Sequence, residues 1–498
     1  MEHPEAAQVA ALVGALGAIL ALVPRDRFSP LVGLLLLGVG SLGLVRSLVG
    51  DDDLRLLLTE PTGLALVAVG VAVVVVAAVP LVRYPTVVPV VLLAAAPFRV
   101  PVELGSEEAF LLGPLYVAIA ASALALALRV VLGKRPPAPP RLLALPLAAF
   151  ATFASASFLW TWDPRSGGIA LAFFVFPFTA GLATLARAPL AGWLPRALLL
   201  TLAGLGTLFA VIGIWQAQTR TLFFARDVEV ANAYTTFFRV TSLFKDPSLY
   251  GRYLVVPIVV LLVAILFRRG RTLEWVALSA LVGLLFWGLF YSYSQSSFVA
   301  LFAATFAIAL VGASRPVRLV LVVCALLAAL AAAAFAAQAI EGRSAREVTS
   351  GRSRLVEVTL EVVAARPLVG VGIGGQPRAS SELSGRGSPA RNASHTTPLT
   401  ILADLGLVGF ALYAWLLAAT AWALRLVARR DRMLGVGLAA VLGALVVHSL
   451  LYAGFFEDPL VWGVLGLAAA VLAAPATQAR SAESEPATSG GTPLSLAH

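Results

Sequence analysis

Charge is what this chain lacks most: Asp, Glu, Lys and Arg make up 12% of its 498 residues, against about 25% in an ordinary soluble domain. Its surface therefore cannot be one that faces water throughout. Cysteine is nearly absent. Cys324 stands alone in an apolar run, which excludes an intrachain disulfide and leaves the redox compartment open. Lysine occurs only at Lys134 and Lys245, so almost all positive charge is arginine. Histidine occurs four times, and His3 and His498 sit at the termini. No grouping of His, Cys and carboxylates has metal-ligand spacing, so neither a metal nor another cofactor is expected.

What is present is apolar sequence: 60% of residues are hydrophobic and the mean hydropathy is +0.92. Runs of about 20 apolar residues, enough to cross a ~30 Å hydrocarbon core, recur along the chain. They fall at about 6–24, 29–49, 62–82, 85–98, 110–133, 142–162, 168–187 and 194–216, then at 250–267, 273–291, 296–313, 317–339, 395–424, 433–455 and 460–475. No small-residue cleavage site follows the first, which reads as a retained span rather than a signal peptide. Backbone polar groups in lipid must be satisfied within each segment, so the expected fold is an all-α polytopic helical bundle. The expected count is about 14–15 spans, because 85–98 is short, carries Pro85 and Pro89, and reads as either crossing or re-entrant. The bundle is assigned to 1–476, with long loops at 217–249 and 340–394. The polar, Ser/Pro/Gly-rich tail at 477–498 reads as disordered.

The net charge of +10 does not point to nucleic acid, because the arginines are dispersed among short loops without an aromatic-rich basic domain. Arg25 and Arg27, Arg83, Lys134 with Arg135 and Arg141, Arg187 with Arg196, Arg268 to Arg271, Arg315 with Arg318 and Arg425 to Arg432 occupy alternate connections. The intervening ones carry Asp51 to Asp53, Glu103 with Glu107 and Glu108, and Glu457 with Asp458. The positive-inside rule makes the first set cytoplasmic, with the N-terminus outside, the tail inside and both long loops outside. The loop 340–394 carries eight arginines, including Arg352 and Arg354. Long loops translocate largely regardless of charge, so it reads either as a tolerated solvated loop or as an outward basic surface for an anion.

Within that loop Arg354, Glu357 and Glu361 share one helical face and Leu355, Val358 and Val362 another, which predicts a short amphipathic helix. Arg352 stands at its start, where the helix terminus adds positive potential. An arginine there can hold a phosphate through two parallel hydrogen bonds, or simply snorkel to lipid headgroups. His395 opens the next span at the outer boundary and His448 lies near the outer end of the span after it. A lone boundary histidine is commonly structural, but its imidazole can also act as a general base near neutral pH. The run Gly370-Val371-Gly372-Ile373-Gly374-Gly375 resembles a nucleotide-binding loop only superficially. No strand–turn–helix surrounds it and no ribose-binding acid follows, so it reads as a tight turn beside a ligand or helix. Arg99, Arg239 and the run from Ser292 to Ser297, with Trp160, Asp163, Asp246, Glu457 and Asp458, gather at the same outer level. Together they read as a site opening outward.

These blocks resemble the O-antigen ligase and polymerase superfamily of bacterial membrane glycosyltransferases. His395-Thr396-Thr397-Pro398-Leu399, running to Ala403-Asp404-Leu405-Gly406-Leu407-Val408-Gly409, is similar to the family's His-Asn…Glu-x-Gly-hydrophobic-hydrophobic-Gly signature, with Thr396 in place of Asn and Asp404 in place of Glu. Ser350-Gly351-Arg352 and Pro367-Leu368-Val369-Gly370-Val371-Gly372 are similar to its Ser-Gly-Arg and Pro-Leu-x-Gly-x-Gly blocks. Pro97 to Gly105, Leu111 to Tyr116, and Phe238-Arg239-Val240 with Asp246-Pro247-Ser248 resemble its earlier segments. One departure is Ser294-Gln295-Ser296-Ser297, where the family's arginine is missing and Arg239 or Arg252 would have to replace it.

The resemblance implies a metal-independent glycosyltransferase of a bacterial cytoplasmic (inner) membrane. It would move a glycan from undecaprenyl diphosphate to a lipid or glycan acceptor at the outer face. His395 would act on the acceptor hydroxyl and Arg352 on the departing diphosphate, with Arg239, Arg252, Arg99, Ser294, Gln295, Ser297, Arg354 and Asp404 as candidate substrate contacts. Membrane lipids complete the expected partners. A ligase and a repeat-unit polymerase are not separated by the sequence. A lipid-linked oligosaccharide transporter or flippase is the alternative of another class, against which stand the lack of an internal repeat and the outward polar cluster. A cysteine placed near Gly385, in a chain lacking Cys324, is expected to react in intact cells with a membrane-impermeant thiol reagent. Labelling only after permeabilisation would invert the orientation.

Overall fold

The structure is a computed structural model that describes residues 3–51, 55, 59–104, 107–267, 272–312, 314–320, 322–323, 352–385 and 387–475. Among these residues the protein is a multi-pass helical bundle in which twelve helices are long and apolar enough to cross a membrane. It opens with α1 (Pro4–Leu22) and α2 (Ser29–Leu48), whose backbones meet closely because glycines line their contact. A Cβ added at Gly17 would meet Leu37 and Gly33, and one at Gly33 would collide with Ala21. Small residues of this kind let membrane helices approach without side chains between them.

Next come α3 (Pro61–Arg83) and a half-length helix α4 (Val88–Ala95). Along α3 only Gly63, Ala78 and Leu81 are buried, while Leu66, Val69 and Val76 are at least 60% exposed. Such a surface is untenable in water and natural against lipid. The segment Pro85–Ala95 is 11 residues, about 16 Å, and does not cross a ~30 Å core alone. It is followed by an antiparallel hairpin of β1 (Val100–Leu104) and β2 (Glu107–Leu111), with Val100 opposite Leu111 and Leu104 opposite Glu107. This hairpin is an addition to the all-helical expectation.

The chain continues through α5 (Gly113–Val131), α6 (Arg141–Ala156), and α7 (Pro164–Ala170) joined by a π-helical turn to α8 (Phe176–Leu185). Then follow α9 (Leu194–Thr219), α10 (Arg226–Asn232), α11 (Pro247–Phe267), α12 (Thr272–Phe290) and α13 (Gln295–Gly312). The expected span at 317–339 lies largely outside the described residues, as do all of 340–351 and the tail from 476. The rest of the long loop forms the amphipathic helix α14 (Arg352–Ala365), then α15 (Gln376–Ser384). On α14 Val358 and Val362 are buried while Glu357 and Glu361 are exposed, as the sequence pattern requires. Last come α16 (Thr397–Arg430), α17 (Arg432–Ser449) and a shorter α18 (Pro459–Ala473).

The two ends of the bundle separate the loop groups that alternate in the sequence. The start of α7 lies against Ile373 and Gly374, so that Gly167 has no room for a Cβ beside the Ile373 carbonyl. Arg187, just past α8, instead faces a cavity shared with Pro24 to Leu31 and Arg135 to Ala138. The intervening Pro164–Leu185 has 22 residues, about 33 Å at 1.5 Å per residue, so the two regions lie at opposite ends.

Helix α16 is broken at Gly406, whose φ of 64° and ψ of −166° no helix can hold. An unbroken helix would bond Leu407 N to Ala403 O and Val408 N to Asp404 O. Here those amides donate to Pro367 O (2.8 Å) and Leu368 O (3.1 Å). The vacated carbonyls of Ala403 and Asp404 accept from Val371 N (3.0 Å) and Gly372 N (2.8 Å). The glycine-rich run is thereby threaded into the break, and no buried backbone group of these is orphaned. A Cβ at Gly406 would collide with Leu368 O, and one at Gly370 with the Asp404 carbonyl. Gly406→Ala is expected to cost about 1–3 kcal/mol from the strained backbone alone, more with the collision. In detergent its thermal midpoint should fall. Gly38→Ala, where an added Cβ meets nothing, should hold the wild-type value.

Candidate active site

The break in α16 places the His395 segment. Asp404, buried at the break, accepts from Gly374 N (3.1 Å, Oδ2) and Gln376 N (2.8 Å, Oδ1). Its carboxylate thus ties the glycine run to the start of α15, where exposed helix amides favour negative charge. Gln376, the first residue of α15, is a second hub. Its Nε2 lies within donating distance of Thr359 Oγ1 (3.1 Å), Ser380 Oγ (2.8 Å) and Asn392 O (3.0 Å), and its Oε1 accepts from Ser394 N (2.9 Å). One buried amide thereby joins α14, α15 and the turn Pro389–Asn392 to the residue before His395.

The glycine run also reaches the end of α6. Trp162 N donates to Val371 O (2.9 Å), Thr161 Oγ1 to Ile373 O (2.9 Å), and Ile373 N to Ser157 Oγ (3.0 Å). On this scaffold His395 is exposed, and Arg354 donates to Asn392 Oδ1 (3.3 Å) three residues before it. Arg352 is the first residue of α14.

A second polar cluster forms at the same end, where α11, α13, α17 and the loop 450–458 converge. Arg252 pairs with Asp458 (Nη1 to Oδ2, 2.6 Å), and both side chains are almost fully buried. Arg252 Nη1 also donates to Gly454 O (3.3 Å), and Nη2 lies 3.1 Å from His448 Nδ1. A guanidinium only donates, so Nδ1 must accept and the proton of the neutral ring must reside on Nε2. That nitrogen lies 3.2 Å from both Ser296 Oγ and Ser297 Oγ, and Ser294 Oγ is 2.9 Å from Ser297 Oγ. The guanidinium also sits over Tyr452, 5.5 Å from its ring centroid.

Arg239, half-buried, donates through Nε to Ser292 O (3.3 Å). Burial draws its pKa below the usual arginine value, while Asp246 pulls it back up. Arg99, at the end of the α4 segment, lies within electrostatic reach of Glu457 and Tyr116. The loop 450–458 links the clusters, because Phe455 and Phe456 pack on Tyr413 of α16 at 5.8 Å.

Beside Pro459 and Leu460, next in the chain to Asp458, opens a cavity of about 360 Å³. It is lined almost wholly by apolar side chains, among them Leu92, Ile119, Leu182, Val260, Val441 and Leu467, and it extends to Arg196 at the opposite end.

Of the ten residues expected at the site, the structure separates nine into two kinds, the side chain of Arg352 lying outside what is described. His395 and Gln295 are exposed, and Arg99, Arg239 and Arg354 are partly so. Asp404, Ser294, Ser297 and Arg252 are buried within protein contacts. Asp404 was expected to touch substrate, but its hydrogen bonds go to backbone amides of the glycine run and α15, so its place is that of an anchor. Arg252 was expected to contact a donor diphosphate, but both terminal nitrogens are engaged by Asp458, Gly454 and His448. It therefore orders the cluster from within.

His448 was noticed as a histidine near the outer end of its span, yet its partners Arg252 and Ser296 lie more than 150 residues away in sequence and gave no local signal. Gln376 carried none at all. Among the described residues no group of three or more His, Cys, Asp or Glu side chains is placed to hold a metal ion.

Asp458→Ala leaves the Arg252 charge buried without its partner and is expected to cost about 3–5 kcal/mol. Adding Arg252→Met to that chain should recover part of the loss. A double variant whose cost is the sum of the two single costs would contradict the pairing.

A family model described as O-antigen ligase matches residues 280–414. No curated protein matches the chain closely enough to count as a relative. The matched stretch contains Ser294 to Ser297, α14, the glycine run, His395, Asp404 and the Gly406 break, whereas Arg99, Arg239, Arg252, His448 and Asp458 lie outside it. Over residues 280–414, then, the chain is similar to the O-antigen ligase family.

Proposed function

We propose that this protein transfers a glycan from an undecaprenyl-diphosphate donor to a hydroxyl-bearing lipid acceptor, at the outer face of a bacterial cytoplasmic membrane. The observation that carries this reading is spatial. An exposed histidine and several arginines lie at one end of a membrane bundle, the end at which Pro459 and Leu460 line an apolar cavity. A polyprenyl diphosphate has the same two-part chemistry: a charged head that needs cations and a hydrocarbon tail that needs an apolar sleeve.

In the proposed step the acceptor oxygen attacks the anomeric carbon of the lipid-linked sugar. The new C–O bond forms as the bond from that carbon to the diphosphate oxygen breaks. His395 takes the acceptor's proton, which suits an imidazole at near-neutral pH, and the electron pair leaves with the undecaprenyl diphosphate. Arg352 stabilises the negative charge that grows there, with Arg99, Arg239 and Arg354 contributing positive potential around the head. Asp404 and Gln376 hold the His395 segment in place, and the Arg252–Asp458–His448 cluster stiffens the floor beside it. No step needs a nucleotide sugar, and no metal is assigned to the step.

The test is complementation of a strain lacking the corresponding surface polysaccharide. His395→Ala should lower glycan transfer by about 10²–10⁴-fold, and Arg352→Ala by about 10²–10³-fold, with each variant inserted at wild-type levels. Full assembly by both well-inserted variants would overturn the transferase reading. The glycan pattern separates ligase from polymerase. Loss of all attachment to the lipid core marks a ligase, and loss of long chains alone marks a repeat-unit polymerase.

A further inference from the structure

At the end of the bundle away from the candidate site, a cavity of about 430 Å³ is enclosed by the α1–α2 turn, the end of α5, the loop to α6 and the turn after α8. Four arginines line it: Arg25, Arg27, Arg135 and Arg187. Three are exposed at its mouth, but Arg187 is only 2% exposed. Its Nη1 donates to Ala183 O (2.9 Å), and its buried Nη2 has no hydrogen-bond partner. Burial brings its pKa down to about 10, so at neutral pH it still carries a charge. Among the described residues it makes no ion pair.

The cavity's single acidic residue, Asp26, accepts from Phe28 N (2.9 Å) and Ser29 N (2.7 Å) at the start of α2. It is committed to that turn.

A buried guanidinium nitrogen without an acceptor is costly and calls for a partner. The volume far exceeds the ~30 Å³ share of one liquid water, and the surrounding charge selects an anion. The rim is apolar as well as basic. Phe28, half-exposed, lies under Arg27 at 4.5 Å, and Leu31, Leu126 and Val130 continue the wall. Beyond them Val131 and Leu132 are 75% and 69% exposed, toward lipid.

From this geometry we infer that the cavity is a binding site for the phosphodiester headgroup of an anionic glycerophospholipid, in the leaflet opposite the candidate active site. A small rotation of the Arg187 guanidinium brings Nη2 to a phosphate oxygen, Arg25 and Arg135 close over the head, and the acyl chains run along Val130 to Leu132. Basic pockets between membrane helices hold such headgroups, and the arginine fork matches two phosphate oxygens. The site is independent of the transferase proposal, sharing no residue with it.

The experiment uses the full chain, purified and delipidated in detergent. Phosphatidylglycerol, phosphatidylcholine and inorganic phosphate are each titrated and followed by native mass spectrometry and thermal stability. Phosphatidylglycerol should bind and stabilise, phosphatidylcholine much less, and inorganic phosphate alone hardly at all. Arg187→Gln should abolish the difference between the lipids. Because that variant can also misfold, the exposed pair Arg25→Gln/Arg135→Gln provides the second measurement. It should fold normally and bind phosphatidylglycerol about 30-fold more weakly, at about fivefold per arginine. Equal phosphatidylglycerol affinity in wild type and the double variant would overturn the proposal. So would equal retention of the two lipids, and so would stabilisation by inorganic phosphate that matches the lipid.

Discussion

The exchange of backbone hydrogen bonds at Gly406 is the constraint on which the candidate site depends. Two amides of α16 give up their helical acceptors, and Pro367 to Gly372 takes both their place and that of the lost donors. A helix break inside a membrane protein is tolerated only where protein re-satisfies the freed groups, and here the glycine-rich run does so. Every other feature of the His395 side follows from that insertion. The glycines are present because a Cβ at Gly370, Gly372 or Gly374 would strike Asp404, Thr161 or Gly167. Asp404 and Gln376 then secure the loop from its far side, and His395 is left at the surface of a rigid mount.

Preorganisation of that kind has a functional consequence. A group that must meet an acceptor hydroxyl within hydrogen-bond distance gains from being held before the substrate arrives. The second cluster provides rigidity in another way, through a buried ion pair extended by a histidine into three serines. Its charges are already paired, so it makes a firm wall rather than a ready phosphate cradle. In the proposed reaction the positive potential for an anionic head would come from the less committed arginines around it, and the apolar cavity lined by Pro459 and Leu460 would take a tail.

Much of the architecture was legible in the residues. Apolar runs of membrane length marked the helices, and alternating loop charge separated Arg25, Arg135 and Arg187 from Glu457 and Asp458. The structure puts these groups at different ends. The pattern of Leu355, Val358 and Val362 anticipated α14 because amphipathic periodicity is local. The hairpin at Val100–Leu111 was not anticipated, since it sits between apolar runs and is too short to impose alternation against its surroundings. The protein partners of Asp404 and Arg252 carry no sequence signal for a common reason. An ionisable residue inside a motif looks the same whether it faces substrate or satisfies buried partners, and those partners lie 28 to 206 residues away. Gln376 escaped notice because its four contacts exist only once three separate segments have met.

The central claim is that a bond is broken at the lipid-linked sugar, not merely that a lipid is bound. The most direct measurement reconstitutes the purified chain in liposomes with undecaprenyl-diphosphate-linked glycan and a lipid acceptor, and follows both products. One undecaprenyl diphosphate released for each glycan joined to the acceptor is the expected result. Movement of intact lipid-linked glycan between leaflets, with no diphosphate released, would contradict it and identify a transporter instead.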